Sequence, residues 1–251
     1  MNPIVTSLLV FACIFGAALA GMLLRYVLPE HHLGSDTKDT VKLAMVLVAT
    51  MAALVLGLLV ASAKSTYDTE SNGVTQMAAK IIFLDRMLAN FGPETKETRE
   101  RLRGLVQRVE QRMWPNKVNA QAQLDPNASR AETFYAEIQK LAPKNELQTS
   151  LKSHIESTAF ELGQMRWLEF EQADTAISAP LLYILTIWLA ILFVSFGLFS
   201  PLNGTVITSL MLAALSISGA IYLIIELNSP FSGLMQISNS PFVSALAHLG
   251  Q

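Results

Sequence analysis

The chain has 251 residues, of which 51% are hydrophobic and 15% charged, with mean hydropathy +0.39; ordinary soluble domains carry about 25% charge. Residues 64–178 hold 31 of the 38 Lys, Arg, Asp and Glu residues, so a polar block is inserted between two apolar ones. This pattern excludes a simple soluble enzyme and a disordered chain. A net charge of −2 gives no basic excess for neutralising phosphates, so nucleic acid is excluded as a partner.

Four stretches are long and apolar enough to cross a bilayer, which takes about 20 helical residues. They are Ile4–Leu24, Leu43–Ala63, Leu181–Ser200 and Thr205–Ile225. The first lacks a basic start and has a longer apolar core than a signal peptide, so it reads as a retained span. Four spans place the amino terminus, residues 64–178 and the carboxyl terminus on one side. The bare amino terminus and the single cysteine, Cys13, favour the cytoplasm for that side. The expected fold class is all-α, with two spans in 1–63, a helical cytoplasmic domain in 64–178 and two spans in 179–228. An amphipathic tail in 229–251 is expected to lie on the membrane or against the polar block.

Small residues recur at helical spacing: Ala12, Gly16 and Ala20 in the first span; Ala49, Ala53, Gly57 and Ala61 in the second; Ser209, Ala213, Ser216 and Ala220 in the fourth. Such stripes let helix backbones approach closely in lipid.

The polar block reads as helical throughout. A helix over Asp68–Asn90 continues the second span, with Met77, Ile81, Leu84 and Leu88 on one stripe. Gly92-Pro93 breaks it. The next helix runs acidic to basic, from Glu94 to Arg112, with Leu102, Leu105, Val109 and Met113 on its apolar face. Its arginines read as a solvated face with intrahelical ion pairs. Trp114-Pro115 ends it, and residues 116–127 read as a loop. Ser129 and Glu132 form a capping-box pattern opening a short helix to Leu141. A long helix over Lys144–Ile177, with Leu147, Leu151, Ile155, Leu162 and Met165 as its stripe, leads into the third span. In the tail, Ser229-Pro230 and Ser240-Pro241 can each open a short helix, the second placing Phe242, Leu246 and Leu249 on one side.

Chemistry is sparse. No phosphate loop, HExxH or Gly-x-Ser-x-Gly pattern occurs, and no cofactor is implied. His31 and His32 lie with Glu30, Asp36 and Asp39 in a short loop that reads as a polar turn, with Asp36 capping the next helix, rather than a metal site. His154 and His248 are isolated. Glu226, at the end of the fourth span, is an interfacial residue or a vestibule charge.

Several stretches resemble one family. Leu56-Gly57-Leu58 through Ala63-Lys64, Tyr67-Asp68, Leu84-Asp85-Arg86, Phe91-Gly92-Pro93-Glu94 and Arg99 are similar to the bestrophin-like domain of bacterial membrane proteins. So are Ser195-Phe196-Gly197-Leu198-Phe199, and Glu226-Leu227 with Pro230-Phe231-Ser232-Gly233. The resemblance runs through nearly the whole chain. It implies four spans, cytoplasmic termini in the inner membrane, and a pentameric channel whose axial pore is lined by the second span. Phenylalanine is absent from residues 43–64, so the large apolar neck residues of bestrophins have no counterpart there.

If the second span lines a pore, its small stripe (Ala49, Ala53, Gly57, Ala61) is expected to pack on neighbouring copies. The opposite face, Val48, Val55, Leu59, Ser62 and Thr66, is then expected to face the axis, with Glu226 near a vestibule. The rival expectation is a membrane scaffold or sensor whose cytoplasmic helices bind a partner protein.

Overall fold

The structure is a computed structural model that describes residues 2–29, 34–114, 129–173, 179–231 and 233–251. Among the described residues it is helical, with no strand. The helices are α1 (Pro3–Val27), α2 (Ser35–Phe91), α3 (Lys96–Met113), α4 (Ser129–Lys140), α5 (Glu146–Ala173), α6 (Ala179–Phe199), α7 (Gly204–Leu227) and α8 (Ser240–His248). Four of them, α1, α2, α6 and α7, are long and apolar enough to cross a membrane. The chain divides into two units: Met1–Thr66 with Ala176–Asn228, and Tyr67–Thr175 with Ser229–Gln251. The single 57-residue helix α2 supplies residues to both.

In the first unit α1 packs on α6 and α7. Its buried line is Val10, Ile14, Ala18, Gly21 and Met22. The seam with α6 is set by two glycines. A Cβ added at Gly21 would strike the Val194 carbonyl oxygen, and one added at Gly197 would strike the Ala18 carbonyl oxygen. Only glycine lets the two backbones come this close. Against α7 the contact is polar: Ser218 Oγ donates to the Ser7 carbonyl at 2.7 Å. At its far end α1 is tied by Arg25 Nη1, which donates to the Ser200 carbonyl at 2.7 Å. Asn2 and Asn203 cap α1 and α7 by accepting from the Ile4 and Val206 amides.

The second unit has its own apolar core. The stripe Met77, Ile81, Leu84 and Leu88 is buried as its spacing predicts. Gly92 then turns the chain at φ 146°, a region favouring glycine. Thr95 Oγ1 bonds back to the carbonyls of Leu88 and Gly92, fixing the turn into α3. On α3, Leu102 and Met113 are buried and Leu105 and Val109 half-buried, while Val106 and Thr98, not anticipated, are also buried. Lys152 of α5 donates from Nζ to the carbonyls of Gln139 and Leu141, closing the end of α4.

Three details differ from expectation. Leu147, placed on the α5 stripe, is exposed, because that stripe begins to bury only at Leu151 and Ile155. Ser229-Pro230 opens a turn rather than a helix, in which the Pro230 carbonyl accepts from the Ile237 amide. At the second Ser-Pro the cap position is Asn239, and Ser240 is already helical. The expected loop at 116–127, the Ser129 side chain and the passage through 174–178 lie outside the described residues.

The tail belongs to the second unit. Phe231, Ile237, Phe242, Ala245 and Leu249 are buried in its core. Trp114 Nε1 donates to the Ile237 carbonyl at 2.7 Å, and Asn239 Nδ2 donates to Glu110 Oε1 at 3.0 Å. Of the two placements expected for 229–251, this is the one against the polar block.

Candidate pore-lining helix

The membrane segment of α2 is the candidate site. Of its apolar window only 11% is buried, against 28% for α1 and 39% for α6 and α7. The buried positions are Ala52, Leu59 and Ala63. At 3.6 residues per turn these fall on one line. The opposite side is open: Val46, Thr50, Leu54, Gly57 and Ala61 are exposed, and a Cβ at Gly57 would meet nothing within 4 Å.

The face expected to look at an axis sits on the covered side. Leu59 is 7% exposed, Val48, Val55 and Thr66 are half-buried, and Ser62 alone of the set is exposed. On the small stripe Ala53, Gly57 and Ala61 are exposed and Ala49 half-buried.

The same holds on the other spans. Ala12, Gly16 and Ala20 of α1 are exposed, and so are Ser209, Ala213 and Ser216 of α7, with Ala220 half-buried. Gly16, like Gly57, has open space where its side chain would be. The small stripes therefore do not build the chain's internal seams, which run instead through Gly21, Gly197, Ala214 and Ser218.

Glu226 lies in the first unit within a buried run, Ile224–Leu227, and is 2% exposed. It accepts a hydrogen bond from the Tyr222 hydroxyl one turn earlier.

Sequence reasoning missed the strongest polar constellation, which lies in the second unit. Asp85 of α2 is 1% exposed and holds Arg99 of α3 in a fork: Nε to Oδ1 and Nη2 to Oδ2, each at 2.8 Å. The tail joins it, since the Gly250 amide donates to Asp85 Oδ2 at 3.3 Å and Arg99 Nη2 also reaches the Gln251 carbonyl at 3.0 Å. The fork raises the Arg99 pKa further, so this cation never titrates in use. Elsewhere in the basic run the expected ion pairs form, with Arg101 bonded to Glu97 one turn before it and also to Glu137 of α4. Nearer the start of the unit, Glu70 is 4% exposed and its Oε2 has no hydrogen-bond partner; burial pushes its carboxyl pKa up.

Among the described residues no group of His, Cys, Asp and Glu could hold a metal ion; Glu30, His31 and His32 lie outside them.

The model of the bestrophin-like domain matches residues 12–242. The chain belongs to the bestrophin-like family. No curated protein matches the sequence. Among solved structures, the fold is similar to two crystal structures of a bacterial bestrophin homologue from Klebsiella pneumoniae, each carrying a single mutation. The first has a TM-score of 0.67 at 16% identity, covering 98% of this chain and 97% of that one. The second has 0.65 at 15%, covering 95% and 99%. This bestrophin-like chain therefore shares the fold of that homologue along nearly the whole length of both.

Proposed function

We propose that this bestrophin-like protein is one subunit of an oligomeric ion channel whose axial pore is lined by the membrane segment of α2. The carrying observation is the open side of that segment, the least covered of the four spans. Membership of the family supports a channel rather than an enzyme. The exposed small stripes on α1 and α7 support helix packing between copies, for which a pentameric ring in the inner membrane is our reading. The polar block and both termini are assigned to the cytoplasm.

The lumen face follows from packing. In a closed ring each α2 segment is backed by the rest of its own chain, and the side opposite that cover looks at the axis. The cover runs through Ala52, Leu59 and Ala63, so Val46, Thr50, Leu54, Gly57 and Ala61 are our lumen positions. This reverses the face expected from the sequence, leaving Val48, Val55 and Leu59 as packing residues and Ser62 at the boundary. Leu54 is the bulkiest of these five positions, 65% exposed, and fits an apolar constriction that gates by dewetting. Glu226, buried and held by Tyr222, is assigned to structure rather than to a vestibule.

The test uses cysteine scanning in liposomes. Cys13 is the only cysteine, so Cys13→Ser gives a clean background. Leu54→Cys and Thr50→Cys should lose ion flux when a charged, water-borne thiol reagent is added, and Val55→Cys should not. Block at Val55→Cys alone would restore the other face. A monomeric protein without flux would overturn the channel reading in favour of a scaffold.

A further inference from the structure

Residues Gly233 to Gln236 of the tail are all exposed, and the buried Phe231 and Ile237 stand on either side of them. The turn that carries them is fixed. The Ile237 amide donates to the Pro230 carbonyl at 2.8 Å, and Gly233 takes φ 92°, where a side chain would be strained. Phe231 meets Trp114 edge-on with ring centroids 5.9 Å apart, and Trp114 Nε1 holds the Ile237 carbonyl. Leu234 and Met235 each have a further bonded partner. Leu234 is nonetheless 84% exposed, more than any other large hydrophobic residue described, and Met235 is 40% exposed.

A single exposed leucine is ordinary on a soluble surface. Three observations set this pair apart. The first is charge: residues 227–251 hold no Lys, Arg, Asp or Glu, although the block they pack into is charged throughout. Such a segment can touch lipid without carrying an ion into it. The second is the tether. Leu234 follows the last residue of α7 by seven residues, and seven residues reach at most about 25 Å. The third is the direction of α3, which runs back alongside α2: Arg99 pairs with Asp85, Thr95 bonds the Leu88 carbonyl, and Met113 lines one small cavity with Met77. At 1.5 Å per residue Trp114 stands about 22 Å back from Arg99, and Asp85 stands about 33 Å beyond Ala63, where the apolar run of α2 ends. Trp114 and the turn it holds are therefore within about 10 Å of Ala63 in projection along α2. The apolar side of α8, with Phe242 and Ala245, is already buried in the block, so this turn is what the tail has left to offer a membrane.

We propose that the turn at Gly233–Gln236 enters the headgroup boundary of the bilayer, with Leu234 and Met235 as a two-residue anchor. The partner is the lipid surface itself, which takes apolar side chains at its acyl boundary while the turn's backbone stays among the headgroups. The anchor gives the second unit a foothold in lipid besides its covalent connections to the spans. It rests on α7 being a span and not on conduction.

The experiment places a fluorophore at single cysteines of the full chain in phosphatidylcholine nanodiscs. In the Cys13→Ser background, Leu234→Cys and Met235→Cys carry the environment-sensitive NBD group. Leu147→Cys is the reference: Leu147 is 69% exposed, and its neighbour Gln148 donates from Nε2 to the Phe91 carbonyl at the far end of α2. Lipids with a doxyl group high on the acyl chain report contact with the bilayer, and iodide reports contact with water. At 234 and 235 the emission should be blue-shifted, lost to doxyl lipid and largely spared by iodide; at 147 the pattern should be the reverse. Two positions keep the test open should one variant misfold, and unchanged circular dichroism and elution verify each. Iodide quenching at both tip positions without doxyl quenching would overturn the proposal. So would blue-shifted emission that doxyl lipid leaves intact, since the turn would then lie against protein, as in a contact with a second copy. Equal doxyl quenching at Leu147 would overturn it too, because the probe rather than the turn would be seeking lipid.

Discussion

Replacing Asp85 by Ala removes the acceptor of two 2.8 Å charge-assisted hydrogen bonds and of the Gly250 amide. The Arg99 side chain, 18% exposed, is left without its counter-ion. Breaking a fully buried pair costs about 3–5 kcal/mol. Arg99 keeps some solvent and the Gln251 carbonyl, so the lower end applies, about 3 kcal/mol. At about 2–4 °C per kcal/mol for a chain of this size, the melting temperature should fall by about 6–12 °C. Arg99→Met should do at least as much, because it strands the carboxylate on the less exposed partner. Removing both charges in Asp85→Leu/Arg99→Met should recover most of the loss, since two uncharged side chains carry no desolvation penalty. Scanning fluorimetry of the four proteins in one detergent completes the cycle. Singles that lose less than about 1 kcal/mol, or a double as poor as the singles added, would refute the buried-pair account.

The glycines give a paired prediction. Gly197→Leu drives a side chain into the Ala18 carbonyl and should destabilise the chain by about 1–3 kcal/mol or more, read as a lowered melting temperature. Gly16→Leu meets open space; it should leave the single chain folded and reduce the oligomer seen by native mass spectrometry. An unaffected oligomer would detach the α1 stripe from the subunit interface. Glu70 predicts a pH dependence. Its folded pKa is raised, so the native state holds the proton more tightly than the unfolded one. That contribution is complete below the unfolded carboxyl pKa and is lost as pH rises through the folded value. Glu70→Gln should therefore gain on wild type as pH rises through that window and match it in acid, which melting curves across pH would show.

Legibility in the sequence followed the range of the interaction. Long apolar runs give spans because the bilayer demands them locally, and α1, α6 and α7 begin and end close to the expected limits. The stripe Met77, Ile81, Leu84 and Leu88 was readable because one helix face is a periodic property. The partner of a face is not periodic. Small stripes on three spans pointed to close packing, yet the internal seam uses Gly21 and Gly197, which stand outside those stripes. Asp85 and Arg99 are fourteen residues apart on different helices; only the turn at Gly92 brings them together, and each alone reads as a surface charge. Both fall within the family-like segments, which was the available signal.

The place of the tail has a consequence for synthesis. Phe242, Ala245 and Leu249 are fully buried in a core otherwise made from residues 74–159 and from Phe231 and Ile237. The ribosome delivers α2 to α5 first, then the two apolar helices α6 and α7, and only afterwards the piece that closes the core. Until then the polar block emerges with an open apolar gap and with Asp85 and Arg99 lacking their third partner. The last step of folding is thus timed by the membrane insertion machinery: the second unit waits for α6 and α7 to be delivered, and a chain stalled before residue 240 holds an unfinished core ready for chaperone capture.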